Sequence, residues 1–305
     1  KTSKMAACTL KDGEYPCTEI VGKPGDKYIL AFDPSWAESE GSDDFAMMII
    51  KLNEERKTGV VVHSYALAGA NLRQHIDYFY FLLNHLNIVS IIGDYNGGVQ
   101  FINACNESSL FKTNKLNIKC INTNFDDIEN YQKKLLEGKR EYNLEDKTIC
   151  YLRKPTSQWI RVANELLQAN FDHHRIYFAS RAIDDAYNEQ RNKKIPIKDL
   201  SFLKTSQSLE RQTNAAKMID FVEHQFDMLN LTKTECSLIQ ISTSAGGTQT
   251  FDLPPSLKRQ TGPEKARKDS YSALILGNWM IKLYYDMMNV KTQNVNYTFT
   301  PMFIN

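Results

Sequence analysis

Three aspartates stand where a folded chain delivers a carboxylate out of its core. Asp33 closes the apolar run Tyr28 to Phe32 and precedes Pro34; Asp94 follows the run Ile88 to Ile92 and precedes Tyr95-Asn96-Gly97-Gly98; Asp269 opens a long apolar stretch reaching Met288. Taken singly, each suits a turn former or a helix N-cap worth about 1 kcal/mol. Taken together they say more, because two neighbouring strand ends and one helix start can converge on a point. A carboxylate at a strand end is half-buried and rigid, as a metal ligand must be. Three of them in one place repel and raise one another's pKa unless cations lie between them, and magnesium or manganese, hard ions that prefer oxygen, fit that need. Such a cluster suits phosphodiester hydrolysis, in which one ion lowers the pKa of an attacking water and both neutralise charge as the bond breaks. The glycines behind Asp94 would let a large substrate's backbone approach closely. No histidine or cysteine nucleophile is required. His75 and His85 lie on a predicted helix, His173 and His174 are adjacent, and the six histidines show no zinc-protease spacing, so they read as structural.

Immediately upstream of Asp269, Lys258, Arg259, Lys265, Arg267 and Lys268 place five positive charges in eleven residues, against Glu264 alone. A basic segment running into an acidic site suits a polyanion, whose phosphates it would grip beside the reacting one. The whole chain conceals this: 37 basic residues face 36 acidic ones, so no overall field announces a nucleic-acid or membrane partner. With 305 residues, 42% of them hydrophobic, the chain can bury a real core, which excludes disorder and a disulfide-stapled mini-protein. Its apolar runs fall short of a membrane span and no signal peptide opens it, so a soluble protein is expected. Cys8, Cys17, Cys105, Cys120, Cys150 and Cys236 are scattered without paired spacing, as expected for reduced intracellular thiols. The first residue is Lys1 rather than methionine, which suggests a piece of something longer.

The elements that must position these side chains follow from periodicity. Tyr28 to Phe32, Phe45 to Leu52 and Gly59 to Tyr65 read as strands joined closely enough for an antiparallel meander. Leu72, Ile76, Phe79, Leu83 and Leu86 share one face of a helix that Asn71 would cap. Ile88 to Ile92, the glycine-bearing turn and a helix from Val99 form a parallel β/α unit. Further strands are expected at Ile118 to Asn122 and Arg175 to Ala179, with a helix around Trp159 to Leu167 between them. A helix near Ala215 to Leu229 then leads into a hairpin formed by Ser237 to Ser242 and Thr248 to Leu253 around Ser244-Ala245-Gly246-Gly247. A final helix covers Asp269 to Met288.

Three stretches resemble a known family. Ala31-Phe32-Asp33-Pro34-Ser35 with Gly41-Ser42-Asp43-Asp44-Phe45-Ala46, then Ile91-Ile92-Gly93-Asp94-Tyr95-Asn96-Gly97-Gly98, then Arg267-Lys268-Asp269-Ser270-Tyr271-Ser272-Ala273-Leu274, are similar to the nuclease domain of the large terminase subunit of tailed bacteriophages. The resemblance spans about Tyr28 to Met288. It implies an α/β, ribonuclease-H-like mixed sheet flanked by helices, and a two-metal endonuclease, using Mg2+ or Mn2+, that cuts concatemeric double-stranded viral DNA at the start and end of packaging. By position it makes Asp33, Asp94 and Asp269 the catalytic metal ligands. Asp43 matches the aspartate of the glycine-containing loop near the metals, with Asp44 one register step away. Lys268 or Arg267 would hold phosphate.

The family's ATPase motor carries a G-x-x-x-x-G-K-[ST] loop, and none occurs in this sequence. The expected organisation is therefore a lead or interdomain linker over 1–26, a nuclease domain over 27–290 with insertions near 129–147 and 181–212, and a tail over 291–305. The resemblance implies the ATPase domain, the portal or procapsid and the small terminase subunit as partners besides DNA, no membrane, and the cytoplasm of an infected bacterium as the place of action. Two other readings of the same residues are a nuclease resembling Holliday-junction resolvases on this scaffold, and a noncatalytic DNA- or portal-docking module whose acids are merely caps.

Overall fold

The direction in which each side chain of the first strand points decides the rest of the architecture. In β1 (Tyr28–Asp33), Tyr28, Leu30 and Phe32 enter one apolar cluster while Ile29 and Ala31 enter another on the opposite face. Both sides are buried, as expected for a central strand covered on each face by helices. The computed structural model describes residues 18–35, 43–69, 71–123, 145–180, 214–243, 249–262 and 265–293. Residues 1–17, Gly41 and Ser42, most of the expected insertion near 129–147, all of that near 181–212, the turn 244–247, Glu264 and 294–305 lie outside the described residues.

β1 pairs antiparallel with β2 (Phe45–Asn53), which pairs antiparallel with β3 (Thr58–Leu67). On its other side β1 runs parallel to β4 (Ile88–Asp94), followed by β6 (Ile149–Arg153) and β5 (Lys119–Asn122), also parallel. A short β7 (Ile176–Phe178) joins the far edge parallel to β3, giving the order β5-β6-β4-β1-β2-β3-β7. This is the expected mixed sheet, an antiparallel meander continued by parallel strands and flanked by helices.

Helices α1 (Leu72–His85), α2 (Tyr95–Glu107) and α3 (Ser109–Thr113) supply residues to the Phe32 side, and α4 (Ser157–Asp172) and α7 (Asp269–Gln293) to the Ala31 side. α5 (Asn214–Leu238) lies along β3: the Ser64 hydroxyl is 3.0 Å from that of Thr232, and the Ser64 N–H donates to Gln225. A separate hairpin of β8 (Gln240–Thr243) and β9 (Gln249–Asp252), then α6 (Pro255–Lys258), lead into α7.

α7 is buried almost all round, from Tyr271 through Trp279 to Tyr285. Gly277 lets it approach the sheet: a Cβ there would sit 2.6 Å from Ile50 Cδ1 and 3.3 Å from Ala31 Cβ. Near the other end of the helix, the Tyr285 hydroxyl lies 2.9 Å from the Asn53 carbonyl and 2.8 Å from that of Thr58, while Tyr284 bonds Glu54. The long helix is thus held against β1 and β2, with its first residue fixed relative to their ends.

Several details depart from the sequence expectations. β6 was not expected, because a five-residue run ending in Arg153 and followed by Lys154-Pro155 has little periodicity to detect. Arg175 to Ala179 does form a strand, though only Ile176–Phe178 of it, and it pairs parallel with β3. After β4, Asp94 caps a short turn that Asn96 and Gly97 break with non-helical angles, so the regular helix begins beyond Gly97, close to the expected Val99. α5 continues to Leu238, so the hairpin's first strand starts at Gln240 rather than Ser237. Residues 18–26, expected to belong to the lead, include packed positions: Ile20 is in the core, and the Thr18 hydroxyl and Glu19 N–H both bond the Val62 carbonyl.

Gly93 is where packing and site meet. A Cβ there would lie 2.3 Å from Phe32 Cζ, and Phe32 is fully buried among Phe45, Phe79 and Phe101. Gly93→Ala should therefore destabilise the fold by about 2 kcal/mol through overpacking, measured by urea denaturation. An unchanged denaturation midpoint would contradict this packing.

Candidate functional site

The register of two parallel strands sets two of the acids side by side. Ala31 lies opposite Ile92 and Phe32 opposite Gly93, so the next residues, Asp33 and Asp94, finish adjacent strands at the same level. Asp33 comes two residues after Ala31 and Asp94 two after Ile92, both of which belong to the cluster on the α7 face. Strand alternation directs the two carboxylates to that same face. Asp269, the first residue of α7, completes the group: its Oδ2 accepts the Asp44 N–H at 2.7 Å, and Asp44 immediately precedes β2, the other neighbour of β1. The Asp94 carboxylate accepts the Asn96 N–H at 2.7 Å, and Gly97 takes φ +85°, a conformation suited to glycine. Gly98 is packed against Leu152, 2.7 Å from a virtual Cβ. The two glycines therefore serve the turn and the core.

Burial is the first cause of the electrostatics here. It pushes Asp94 and Asp269 up from 3.8 to about 6, opposed by the Asn96 and Asp44 amides respectively; Asp43 and Asp44 push Asp269 further up and Lys265 pulls it down. Asp33 is raised well above the usual carboxylate range, by burial and then by the charges of Asp94 and Asp269; the Ser272 hydroxyl and Lys268 pull it back. The positive end of α7 favours anions at this point as well. The structure thus brings Asp33 within electrostatic reach of both Asp94 and Asp269.

All three are carboxylates, the donors preferred by hard divalent cations, and a cation would relieve the repulsion felt by Asp33. In that chemical sense the residues fit Mg2+ or Mn2+. Among the described residues, no group of three or more His, Cys, Asp and Glu side chains is already drawn together at metal-holding spacing, so the acids form an open arrangement rather than a closed cage.

Of the remaining expected residues, all but Arg259 form ion pairs. Asp43 is exposed and pairs with Lys265 at 2.8 Å, while buried Asp44 pairs with Arg267 at 3.4 Å. Lys268 lies 2.9 Å from Asp252, and Lys258 pairs with the same carboxylate. Arg259 is exposed and makes no ion pair among the described residues. Of the two loop acids, Asp44 touches the centre directly, through its backbone, whereas Asp43 acts on it through charge.

Two neighbours of the site escaped sequence reading. Ser272, bonded to Asp33, sits three residues after Asp269 and so on the same helical face, a spacing that could have revealed it. Glu235 is 2% exposed and bonds the backbone at the start of α7. It carries no such signal, because it comes from a different helix.

The raised acids give a signed pH effect. Between about pH 4 and 6 the folded chain holds protons on Asp94 and Asp269 that the unfolded chain has released, so the stability they contribute is present below pH 4 and lost as pH rises through about 6. Asp94→Asn keeps the capping oxygen and removes the charge. In chelator-treated buffer it should melt at nearly the wild-type temperature at pH 4 and be stabilised at pH 7.5 by about 1 kcal/mol, after allowance for solvent screening. A variant effect of equal size at both pH values would contradict the burial of this charge.

No protein-family model and no curated protein matches the chain. Its structure is similar to the large terminase nuclease of thermophilic phage G20c at 10% identity and TM-score 0.40, covering 85% of this chain and 84% of that one. It is also similar to the large terminase nuclease domain of bacteriophage SPP1, solved with bound manganese, at 10% identity and TM-score 0.37 over 87% of this chain and 97% of that one. The nuclease domain of the large terminase subunit of bacterial virus Sf6 matches at 12% identity and TM-score 0.41 over 91% and 96% of the two chains.

Proposed function

We propose that this chain is a metal-dependent DNA endonuclease domain that hydrolyses phosphodiester bonds at Asp33, Asp94 and Asp269, in the cutting of concatemeric double-stranded viral DNA during genome packaging. The observation that supports the reading is that Asp33 and Asp94 end neighbouring strands in register and that the charges of Asp94 and Asp269 both destabilise the Asp33 anion. Burying mutually repelling carboxylates costs stability and is retained where a site needs them. The motif resemblance at the same three positions supplies the viral packaging context.

Asp33, Asp94 and Asp269 would hold Mg2+ or Mn2+, two ions in the active complex, with Asp43 a further candidate. Bound there, the ions supply charge neutralisation at the phosphate and a water nucleophile at neutral pH. The protein's own groups prepare the site. The Asn96 and Asp44 amides orient Asp94 and Asp269, leaving each carboxylate with unused lone pairs, and the Ser272 hydroxyl orients Asp33. Arg267 and Lys268 reach phosphates by exchanging or sharing their present partners, Asp44 and Asp252. Lys258, Arg259 and Lys265 extend the positive track.

Plasmid nicking in Mn2+ or Mg2+ tests this reading. Wild type should cut linear and supercoiled duplex at least as well as four-way junctions, and Asp33→Asn or Asp94→Asn should lower the rate by 100-fold or more, about 3 kcal/mol of barrier. Equal rates in wild type and variants would remove the acids from the chemistry, and a strong junction preference would point to a resolvase. Arg267→Ala with Lys268→Ala should weaken duplex binding and reduce the slope of log affinity against log salt by about 1 to 2. An unchanged slope would reject their contact with phosphate.

A further inference from the structure

The first turn of a helix leaves backbone N–H groups without intrahelical partners, and at α7 that turn carries one of the three acids. The Asp269 carboxylate reaches to another element: its Oδ2 accepts the Asp44 N–H. The role falls to Glu235, from the last turn of α5. Its Oε2 accepts the Tyr271 N–H at 2.9 Å, and it also bonds the Ser270 N–H. Glu235 is 2% exposed, Ser270 is fully buried, and Oε1 of Glu235 has no hydrogen-bond partner among the described residues.

Burying a carboxylate here is costly, the more so because its charge faces those of Asp269 and Asp44. Capping alone does not call for that cost, since a serine or asparagine at the helix start would do it locally. The distinctive feature is the connection across elements. α5 is fixed to the sheet through Gln225 and Thr232 on Ser64, and Glu235 continues the same buried side by spacings of seven and three residues. The chain of contacts runs from β3 through α5 to the backbone beside Asp269, and from Asp269 to the amide before β2.

We propose that Glu235 is a positioning residue that fixes the start of α7 and thereby the placement of the Asp269 carboxylate. Its importance to hydrolysis rests on the nuclease reading of the site, whereas the positioning itself is testable without metal or DNA. Residue-resolved amide exchange on the full 305-residue chain reads it directly. Glu235→Met, or Glu235→Ala if the larger side chain prevents folding, should speed exchange at Ser270 and Tyr271, and by at least 10-fold at Asp44, whose N–H is held by Asp269. Glu235→Gln retains an acceptor oxygen and should restore wild-type exchange to within about 2-fold. Leu83→Ala, a core change on α1, should leave the Asp44 amide unaffected at comparable loss of melting temperature. The acceptor-less variant should also bind Mn2+ at least 5-fold more weakly. Unchanged exchange at Asp44, or equal acceleration by Leu83→Ala, would overturn the positioning role. A wild type that binds no Mn2+ would instead contradict the nuclease reading and leave the exchange result to decide the role of Glu235.

Discussion

The pairing of β1 with β4 is the constraint from which the candidate site follows. A shift of one residue in that register would send one of Asp33 and Asp94 to the α1 and α2 face, because side chains alternate along a strand. The register is held by packing on both sides at once. Phe32 occupies the space that a side chain at Gly93 would need, and Ile29 and Ala31 meet α7 on the opposite face. The acids are consequences of a register specified mainly by apolar residues.

α7 converts that two-strand arrangement into a three-element site. Its close approach at Gly277 and its tyrosine bonds near Asn53 and Thr58 fix the helix along the sheet. Glu235 and the Asp44 amide fix its first turn. Low solvent exposure then acts in two directions. It raises the protonation pKa of all three acids, a cost to the metal-free fold at neutral pH, and it strengthens any interaction these carboxylates make with a positive charge. The ion-paired Lys265, Arg267 and Lys268 surround this centre and offset the local acidity of Asp43, Asp44 and Asp252.

The sequence made legible those parts governed by local pattern. β1 to β4 and α1 have strong apolar periodicity, and Asn71 caps α1 as its position suggests, accepting the Gln74 N–H. The endings of β1 and β4 and the beginning of α7 pointed to Asp33, Asp94 and Asp269, because an acid at the edge of an apolar run has a local signature. β6 was not legible, being five residues long and identified as a strand mainly by its neighbours β4 and β5. Glu235 was not legible either, since its partners lie 35 and 36 residues onward, beyond a hairpin. The ion pairs of the basic segment were hidden for the same reason: Asp43 lies 222 residues from Lys265.

The proposed metal chemistry depends on these carboxylates serving a common cation centre in the folded chain. Anomalous diffraction from crystals of the chain soaked in Mn2+ tests it most directly. The expected result is manganese density bounded by Asp33, Asp94 and Asp269, lost in Asp94→Asn crystals. Manganese bound only elsewhere, or absent at saturating concentration with these three side chains ordered and open to solvent, would contradict it.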